Sequence, residues 1–293
     1  MRGEARGPQP GKIRIFHLSD IHFGLEDPAA LEWARQCIVN EAPHAVVVTG
    51  DLTMRARHRE YIAAIEWINA LDAPVTVNIG NHDMPYFNLV ERFVAPYRRY
   101  RAIHAMLETE IDLPGVAIVP LKSAARAQWR LNWSKGWITR SALDETLERI
   151  DALPQGTQII VSVHHPLVET GTKGTALTRG GARALEELAR RKVLAVLSGH
   201  VHDPFDLIEE TAVGPVRMIG AGTLSRRLRS TPPSFNEIAI TGGTITVEAR
   251  NLSHVATPDM QIDDVPENAL PPRSADEPVS AIATIPIVDP PVH

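Results

Sequence analysis

The stretch KIRIFHLSDIH, residues 12–22, joins an apolar run to two residues of metal-ligating type. Its first part, Lys12–Leu18, is short, apolar and rich in β-branched residues, which predicts a buried strand. Asp20 and His22 follow this run. Because residues two apart in an extended segment point to the same side, these two side chains can reach the same ion.

Four further apolar runs are followed in the same way by Asp, Asn or His. The runs are His44–Val48, Pro74–Ile79, Gln158–Val163 and Val193–Leu197. The polar clusters that follow them are Gly50-Asp51, Gly80-Asn81-His82-Asp83, His164-His165 and Gly199-His200-Val201-His202. In α/β sheets, ligands bind at the carboxyl ends of the strands. We therefore expect the five clusters to converge on one site.

Helical patterns alternate with these runs. Asp27-Pro28 begins one helix, because a capping residue is followed by proline at the first helical position. The other candidate helices are Ala56–Leu71, Asn88–Ala105 and Thr139–Leu153. After residue 203 the pattern indicates only strands, at Pro204–Ile208, Val216–Ile219, Phe235–Ile240 and Thr244–Glu248, with Gly242-Gly243 as a hairpin turn. This change predicts an α/β fold with two packed sheets and helices outside them.

The composition of the 293-residue chain excludes several classes of protein. A single cysteine, Cys37, allows no disulfide framework, four-thiolate zinc site or iron–sulfur cluster. The net charge is −5, but residues 259–293 carry seven acids and one base, a net of −6, which leaves the rest at +1. A neutral body argues against the binding of long nucleic acids.

Composition also divides the chain into three segments. Residues 1–11 contain three glycines and two prolines, and residues 258–293 contain eight of the 23 prolines together with the acid excess. We expect both segments to be disordered and residues 12–257 to form the folded domain. No apolar run is long enough for a signal-peptide core or a bilayer span, so we expect a cytoplasmic protein.

The polar clusters supply seven oxygen and imidazole donors and no thiolate. They are Asp20, His22, Asp51, Asn81, His164, His200 and His202. This donor set favours Mn²⁺, Fe²⁺/Fe³⁺, Mg²⁺ or an oxygen-rich Zn²⁺ site over structural zinc. Seven ligands are too many for one ion that keeps an open position, and they suit two divalent ions bridged by a shared carboxylate.

The ordered blocks D-x-H, G-D, G-N-H-D, H and G-H-x-H resemble those of the calcineurin-like metallophosphoesterase superfamily, over roughly residues 12–253. The resemblance implies a four-layer αββα sandwich of two mixed β-sheets flanked by helices. It implies that Asp20, His22 and His202 hold one metal, that Asn81, His164 and His200 hold the other, and that Asp51 bridges both. It also implies that His82 lies over the site without binding metal, with Asp83 orienting its ring.

The resemblance implies the hydrolysis of phosphoric esters. Two divalent ions held at this site would lower the pKa of a shared water and supply hydroxide for attack on phosphorus. We expect His82 to assist the leaving group.

Within the superfamily, Gly80-Asn81-His82-Asp83 and His164-His165-Pro166 are most similar to bacterial class III cyclic-nucleotide phosphodiesterases. This similarity implies a small phosphodiester substrate, a 3′,5′-cyclic nucleotide such as cAMP. Three alternatives stay open: a DNA exonuclease, because Asp20–Gly24 resembles the start of such enzymes; a UDP-sugar-lipid pyrophosphatase; and a non-catalytic protein-binding scaffold. A homodimer is a further expectation.

Two substrate-binding candidates come from neighbouring segments. In an extended segment His165 would point away from His164, which favours a supporting hydrogen bond over a substrate contact. Arg226, with Arg227 and Arg229, follows the strand end at Gly220–Thr223 and can bind substrate anions there.

Overall fold

The computed structural model describes residues 11–84, 111–124, 135–175 and 178–252. The chain divides into two units, residues 1–254 and 255–293, and the second lies outside the described residues. The expected disorder of residues 1–10 and 258–293 and the expected helix Asn88–Ala105 also fall outside them. These three expectations stay predictions.

The described elements are ten strands and four helices. The strands are β1 Lys12–Leu18, β2 Ala45–Val48, β3 Val75–Val77, β4 Val116–Leu121, β5 Gln158–Val163, β6 Ala195–Ser198, β7 Phe205–Thr211, β8 Gly214–Gly220, β9 Ser234–Thr241 and β10 Thr244–Asn251. The helices are α1 Pro28–Glu41, α2 His58–Asn69, α3 Arg140–Asp151 and α4 Gly181–Arg190. None of these helices is long and apolar enough to cross a membrane.

The strands form two mixed sheets. The first has the order β10-β9-β1-β2-β3, with β1, β2 and β3 parallel and β9 antiparallel to both β1 and β10. The second has the order β4-β5-β6-β8-β7, with β7 antiparallel to β8 and the other neighbours parallel. The parallel strands of each sheet therefore bring their carboxyl ends to one edge.

Three apolar cores separate four layers. Between the sheets, Ile15 and Val47 of the first belong to the same buried cluster as Ile160 and Leu197 of the second. A second cluster packs α1 and α2 against the other face of the first sheet. A third packs α3 and α4 against the second sheet. The four-layer αββα sandwich of two mixed sheets is confirmed.

Most local elements agree with the sequence patterns. β1 and β5 have the predicted bounds, and Thr139 caps α3 by accepting a hydrogen bond from the backbone N–H of Ala142. Gly242 and Gly243 have φ of 56° and 84°, the left-handed conformations that a tight hairpin turn requires.

Strand β4 and helix α4 were not predicted from the sequence. Proline interrupts the apolar run of β4 at Pro120, and no ligand cluster marks its end. α4 begins at Gly181, and its N-cap residue, Gly180, offers no capping side chain. Its apolar residues Ala184, Leu185 and Leu188 nevertheless have helical spacing, so only the cap was missing from the sequence pattern.

Candidate metal centre

The backbone is strained at five of the seven proposed ligands. Asp20, His22, Asp51, His200 and His202 have φ between 51° and 70°. Residues other than glycine rarely adopt this left-handed conformation, and such strain concentrates at functional sites. The turns after β1 and β2 are tied together, because the N–H of Asp20 donates to the carbonyl of Gly50 and that of His22 to the carbonyl of Asp51.

The first donor group consists of Asp20, His22 and His202, all buried. Asp20 Oδ1 lies 3.1 Å from His202 Nε2 and 3.6 Å from His22 Nε2, and the two imidazole nitrogens are 3.3 Å apart. Within the described part of the chain, Asp20 Oδ1 has no hydrogen-bond partner. A buried carboxylate oxygen without a partner is costly, and a cation among these atoms would satisfy it.

Backbone contacts fix which atoms of this group face inward. His202 Nδ1 donates to the carbonyl of Arg227 at 2.7 Å, which leaves the Nε2 lone pair free to bind metal. Asp20 Oδ2 accepts from the N–H of His200 at 2.7 Å, so Oδ1 is the free oxygen.

The second donor group is built around His164. Its Nδ1 donates to the carbonyl of Thr49 at 2.7 Å, so its Nε2 is the nitrogen that faces the cluster. This nitrogen lies 3.1 Å from Asn81 Oδ1. The His200 ring centroid is 5.3 Å from that of His164.

Asp51 lies between the two groups. Its Oδ2 is 3.3 Å from His164 Nε2 and 3.8 Å from His22 Nε2, one member of each group. Its Oδ1 accepts from the N–H of His82 at 2.9 Å. This is the position that a bridging carboxylate needs. The structure thus brings all seven predicted ligands together, and their nitrogen and oxygen atoms fit two hard or borderline divalent ions.

The charge states of this cluster suit metal binding. Burial by itself would raise the pKa of Asp51, but the charges of His164 and His82 outweigh it and hold the pKa well below its ordinary value. Burial holds the pKa of His22 and that of His200 well below the ordinary value, so both rings are neutral. Ionised carboxylates and neutral imidazoles are the forms that coordinate cations.

The pKa of His164 is shifted in the opposite direction to those of His22 and His200. Burial lowers its pKa, but the charge of Asp51 and its hydrogen bond outweigh burial and raise the pKa to about 9. Binding of a cation at His164 Nε2 must therefore displace a proton.

His82 lies beside the first donor group. Its ring meets that of His22 edge-on, with centroids 4.9 Å apart, and its Nδ1 donates to the carbonyl of Met54 at 2.8 Å. Burial lowers the pKa of His82, and the nearby charge of Arg227 lowers it further, against the opposing effect of Asp51.

The expectation that Asp83 orients the His82 ring is wrong. The Asp83 carboxylate accepts from the N–H groups of Leu52, Thr53 and Gly80, at 3.2, 2.8 and 2.9 Å. It therefore holds the loop after β2 against the loop after β3. Burial, together with the charge of Asp51, raises the pKa of Asp83 to about 6.

The expected direction of His165 is also wrong. Its ring centroid lies 4.6 Å from that of His164 and 4.5 Å from that of His200. Strand β5 ends at Val163, so the alternation of an extended segment no longer applies to these two residues. His165 shares a 2.8 Å hydrogen bond between its Nδ1 and Ser123 Oγ.

Among the three arginines after β8, the expectation chose the wrong one. Arg226 is exposed, whereas the half-buried Arg227 reaches the site, with Nη1 3.1 Å from His82 Nε2. The segment after β8 is not a regular strand, so the sequence held no alternation that would have distinguished residue 227 from residue 226.

Together, a four-layer αββα sandwich and two donor groups joined by one carboxylate at the strand ends define a metallophosphoesterase. The sequence profile of the calcineurin-like phosphoesterase family matches residues 13–204. The chain belongs to this family, and it is a metal-dependent phosphoric ester hydrolase.

Curated relatives are similar at modest identity. A probable cyclic nucleotide phosphodiesterase of Pseudoalteromonas sp. strain SM9913 is 26% identical over 211 residues, 67% of this chain and 74% of the relative. Another, of Synechococcus sp. strain ATCC 27144, is 28% identical over 211 residues, 66% of this chain and 74% of the relative. A probable glycerophosphodiester phosphodiesterase GpdQ of Arcobacter nitrofigilis is 29% identical over 164 residues, 55% of this chain and 57% of the relative.

Solved structures share the fold. The purple acid phosphatase PPD1 of yellow lupin matches with a TM-score of 0.56 at 14% identity, over 83% of this chain and 52% of that one. PhoD matches with a TM-score of 0.55 at 10% identity, over 87% of this chain and 74% of that one.

Proposed function

We propose that this chain is a two-metal phosphodiesterase whose substrate is a small phosphodiester, a 3′,5′-cyclic nucleotide such as cAMP. The observation that carries the two-metal chemistry is the position of Asp51, within 3.3 Å of one donor group and 3.8 Å of the other. The cyclic-nucleotide substrate is supported by the names of the Pseudoalteromonas and Synechococcus relatives.

Each residue then has a distinct task. Asp20, His22 and His202 would hold one divalent ion, Asn81, His164 and His200 the other, and Asp51 both. Bound together, the two ions would supply a water of lowered pKa and positive charge that stabilises the phosphoryl oxygens. Mn²⁺ and iron are the ions that we expect first, and Zn²⁺ or Mg²⁺ would also suit these donors.

His82 and Asp83 complete the proposed machinery without binding metal. His82 lies beside the first donor group, where it would assist the departure of the leaving oxygen. Asp83 would act on His82 through the backbone, because its carboxylate fixes the loop after β3, which carries His82, against the loop after β2. His165 would support His164 and His200 from the Ser123 side of the cluster.

The test is a substrate screen with defined metal loading. The purified chain is freed of metal, reloaded with Mn²⁺, Fe²⁺, Zn²⁺ or Mg²⁺, and assayed against cAMP, cGMP, bis-p-nitrophenyl phosphate, p-nitrophenyl phosphate and single-stranded DNA. We expect metal-dependent turnover of the diesters and of a cyclic nucleotide. Failure to hydrolyse any diester at any loading would overturn the phosphodiesterase proposal.

A glycerophosphodiester is the second candidate substrate, favoured by the likeness to the Arcobacter relative. Comparison of kcat/KM for cAMP and for glycerophosphoethanolamine under the same metal loading separates the two. A higher value for the glycerophosphodiester would replace the cyclic nucleotide and leave the two-metal chemistry unchanged.

We further propose a cytoplasmic location and a homodimer. The single cysteine, Cys37, suits a reducing compartment. Cell fractionation tests the location, and light scattering coupled to gel filtration tests the dimer.

A further inference from the structure

Both the backbone and the side chain of Arg227 contact histidines of the candidate metal centre. Its backbone carbonyl accepts the hydrogen bond from His202 Nδ1 at 2.7 Å. Its guanidinium also contacts this centre, because Nη1 lies 3.1 Å from His82 Nε2 and 3.5 Å from His22 Nε2. Neither the signature blocks of the sequence nor the metal-ligand groups include this residue.

The hydrogen-bond directions show which of the two neighbours is the donor. His82 Nδ1 donates to the carbonyl of Met54, so the Nε2 of that tautomer accepts. A guanidinium has donors only, and it therefore donates to His82 Nε2. In this tautomer Nε2 of His82 carries no proton, so the fixed donor on this side of the site is Arg227, and His82 would first have to bind a proton at Nε2 to assist a leaving group.

The side chain lies among atoms that cannot neutralise it. Within the described residues its contacts are imidazole nitrogens of His22 and His82 and, at 4.0 Å, the sulfur of Met54. Arginine stays protonated in proteins, and bound divalent ions would add positive charge beside it. An anionic phosphoryl group between this fixed cation and the cation site would be attracted to both.

We infer that Arg227 is a substrate-binding residue whose guanidinium donates to an oxygen of the phosphoryl group at the metal centre. The inference rests on the proposed function and adds a cationic contact from the protein to the contacts that metals provide. A guanidinium suits this task, because its planar donors match the oxygens of a phosphate.

Two neighbouring arginines provide matched controls. Arg226 and Arg229 lie on the same segment and carry the same charge, but both are exposed. Loss of either changes the net charge of the segment as loss of Arg227 does, without removing a group that faces the site.

The test measures the binding of inorganic phosphate and the hydrolysis of bis-p-nitrophenyl phosphate by the metal-loaded full chain. Arg227→Met keeps an apolar stem of similar length and removes the charge. We expect the phosphate Kd from calorimetry and the KM for the diester each to rise about 10- to 100-fold, the loss typical of a charge-assisted hydrogen bond. Arg227→Lys should recover part of the loss, and Arg226→Met and Arg229→Met should stay within about twofold of the wild type.

Three outcomes would overturn the assignment. One is an unchanged phosphate Kd in Arg227→Met, and another is an equal loss in the Arg226→Met control. The third is loss of metal from Arg227→Met, measured by elemental analysis, because the side chain would then support the ligands and not the substrate. Phosphate binding needs no turnover, so it tests Arg227 even if the diester substrate of the proposed function is wrong.

Discussion

Asp51 shows how much one side chain can depend on its surroundings. Its carboxylate contacts His164 and His22 with one oxygen and accepts a backbone N–H with the other. The residue adopts φ of 53°, which few aspartates do. The surrounding structure has to stabilise that conformation. A role as a ligand shared by two ions explains why Asp51 adopts it despite the strain.

At this residue we predict that Asp51→Asn loses metal and activity together. The amide has nearly the shape of the carboxylate but no charge to share between two cations. We expect metal affinity to fall by more than about 100-fold, since even changes in the partners of ligands cost 10- to 100-fold. Elemental analysis and a diester assay check this, with Asp206→Asn, which removes a carboxylate from the Arg217 ion pair, as control. Full metal content in Asp51→Asn would contradict the bridging role.

Substitution of His82 is expected to lower turnover without affecting the binding of metal. Its Nδ1 is engaged by Met54 and its Nε2 by Arg227, so it has no free nitrogen for a cation in this arrangement. We predict that His82→Ala keeps its metals and lowers kcat by about 10²- to 10⁴-fold, the range typical of a lost acid–base group. An empty site in this variant, seen by elemental analysis, would show instead that His82 is a ligand.

At the level of elements, the site depends on sharp turns directly after parallel strands. The loops after β1, β2 and β3 lie at one edge of the first sheet, and the loops after β5 and β6 at that of the second. Asp83 crosslinks two of these loops through three backbone N–H groups. The strands therefore determine which side chains meet, and the loops determine the direction of each.

Substitution of Gly50 tests the importance of the turn after β2. It has φ of +97°, and a Cβ there would lie 2.8 Å from both the backbone N of Gly80 and His164 Nδ1. We predict that Gly50→Ala lowers metal affinity, because it pushes His164 away from the carbonyl of Thr49, and that it lowers stability by more than the conformational penalty of about 1–2 kcal/mol.

Gly156→Ala is the matched control for this turn. Gly156 has φ of +89°, but a Cβ there would meet nothing within 4 Å. Its substitution should show only the conformational penalty, with metal affinity unchanged. Chemical denaturation and metal titration measure both variants, and equal metal affinities in the two alanine variants would contradict the steric argument.

At the level of the whole molecule, a network of charges connects the first sheet to the helix that covers it. Glu41 at the end of α1 accepts from Arg14 of β1 at 2.6 Å and from Arg250 of β10 at 2.9 Å. Both arginines also pair with Glu237 of β9. Burial alone would raise the pKa of Glu41, but the hydrogen bonds from Arg250 and Arg14 outweigh it and lower the pKa.

This lowered pKa predicts a dependence of stability on pH. Above about pH 5 Glu41 is ionised in the folded and the unfolded chain, and its ion pairs contribute fully. As the pH falls through the ordinary pKa of about 4.3, the unfolded chain binds the proton first, so the contribution is lost. Glu41→Gln should be less stable than the wild type by about 1–2 kcal/mol near pH 7, and the difference should shrink toward pH 3. Urea denaturation at a series of pH values measures this, and a constant difference would contradict the ion-pair explanation.

Much of the fold and of the candidate site could be predicted from the order of residue types. Asp20, Asp51 and His164 each follow a short apolar run, and parallel strands bring such ends together whatever the details of packing. The α/β class and the recognition of the family needed only this local information. β4 was not predicted because Pro120 interrupts its apolar run, and α4 because Gly180 before it has no capping side chain, although its apolar residues have helical spacing.

Side-chain direction could not be predicted beyond the ends of the strands. The sequence placed His165, Asp83 and Arg226 near the site. In the structure the His165 ring lies against that of His164, and the Asp83 carboxylate binds backbone N–H groups. Arg226 is exposed, whereas Arg227 faces inward. Within a strand, successive side chains point to opposite faces of the sheet, so the order of residues is enough to predict the direction of each side chain. In a turn, direction depends on φ and ψ, which the contacts between distant loops determine, so only the folded chain decides which arginine meets His82.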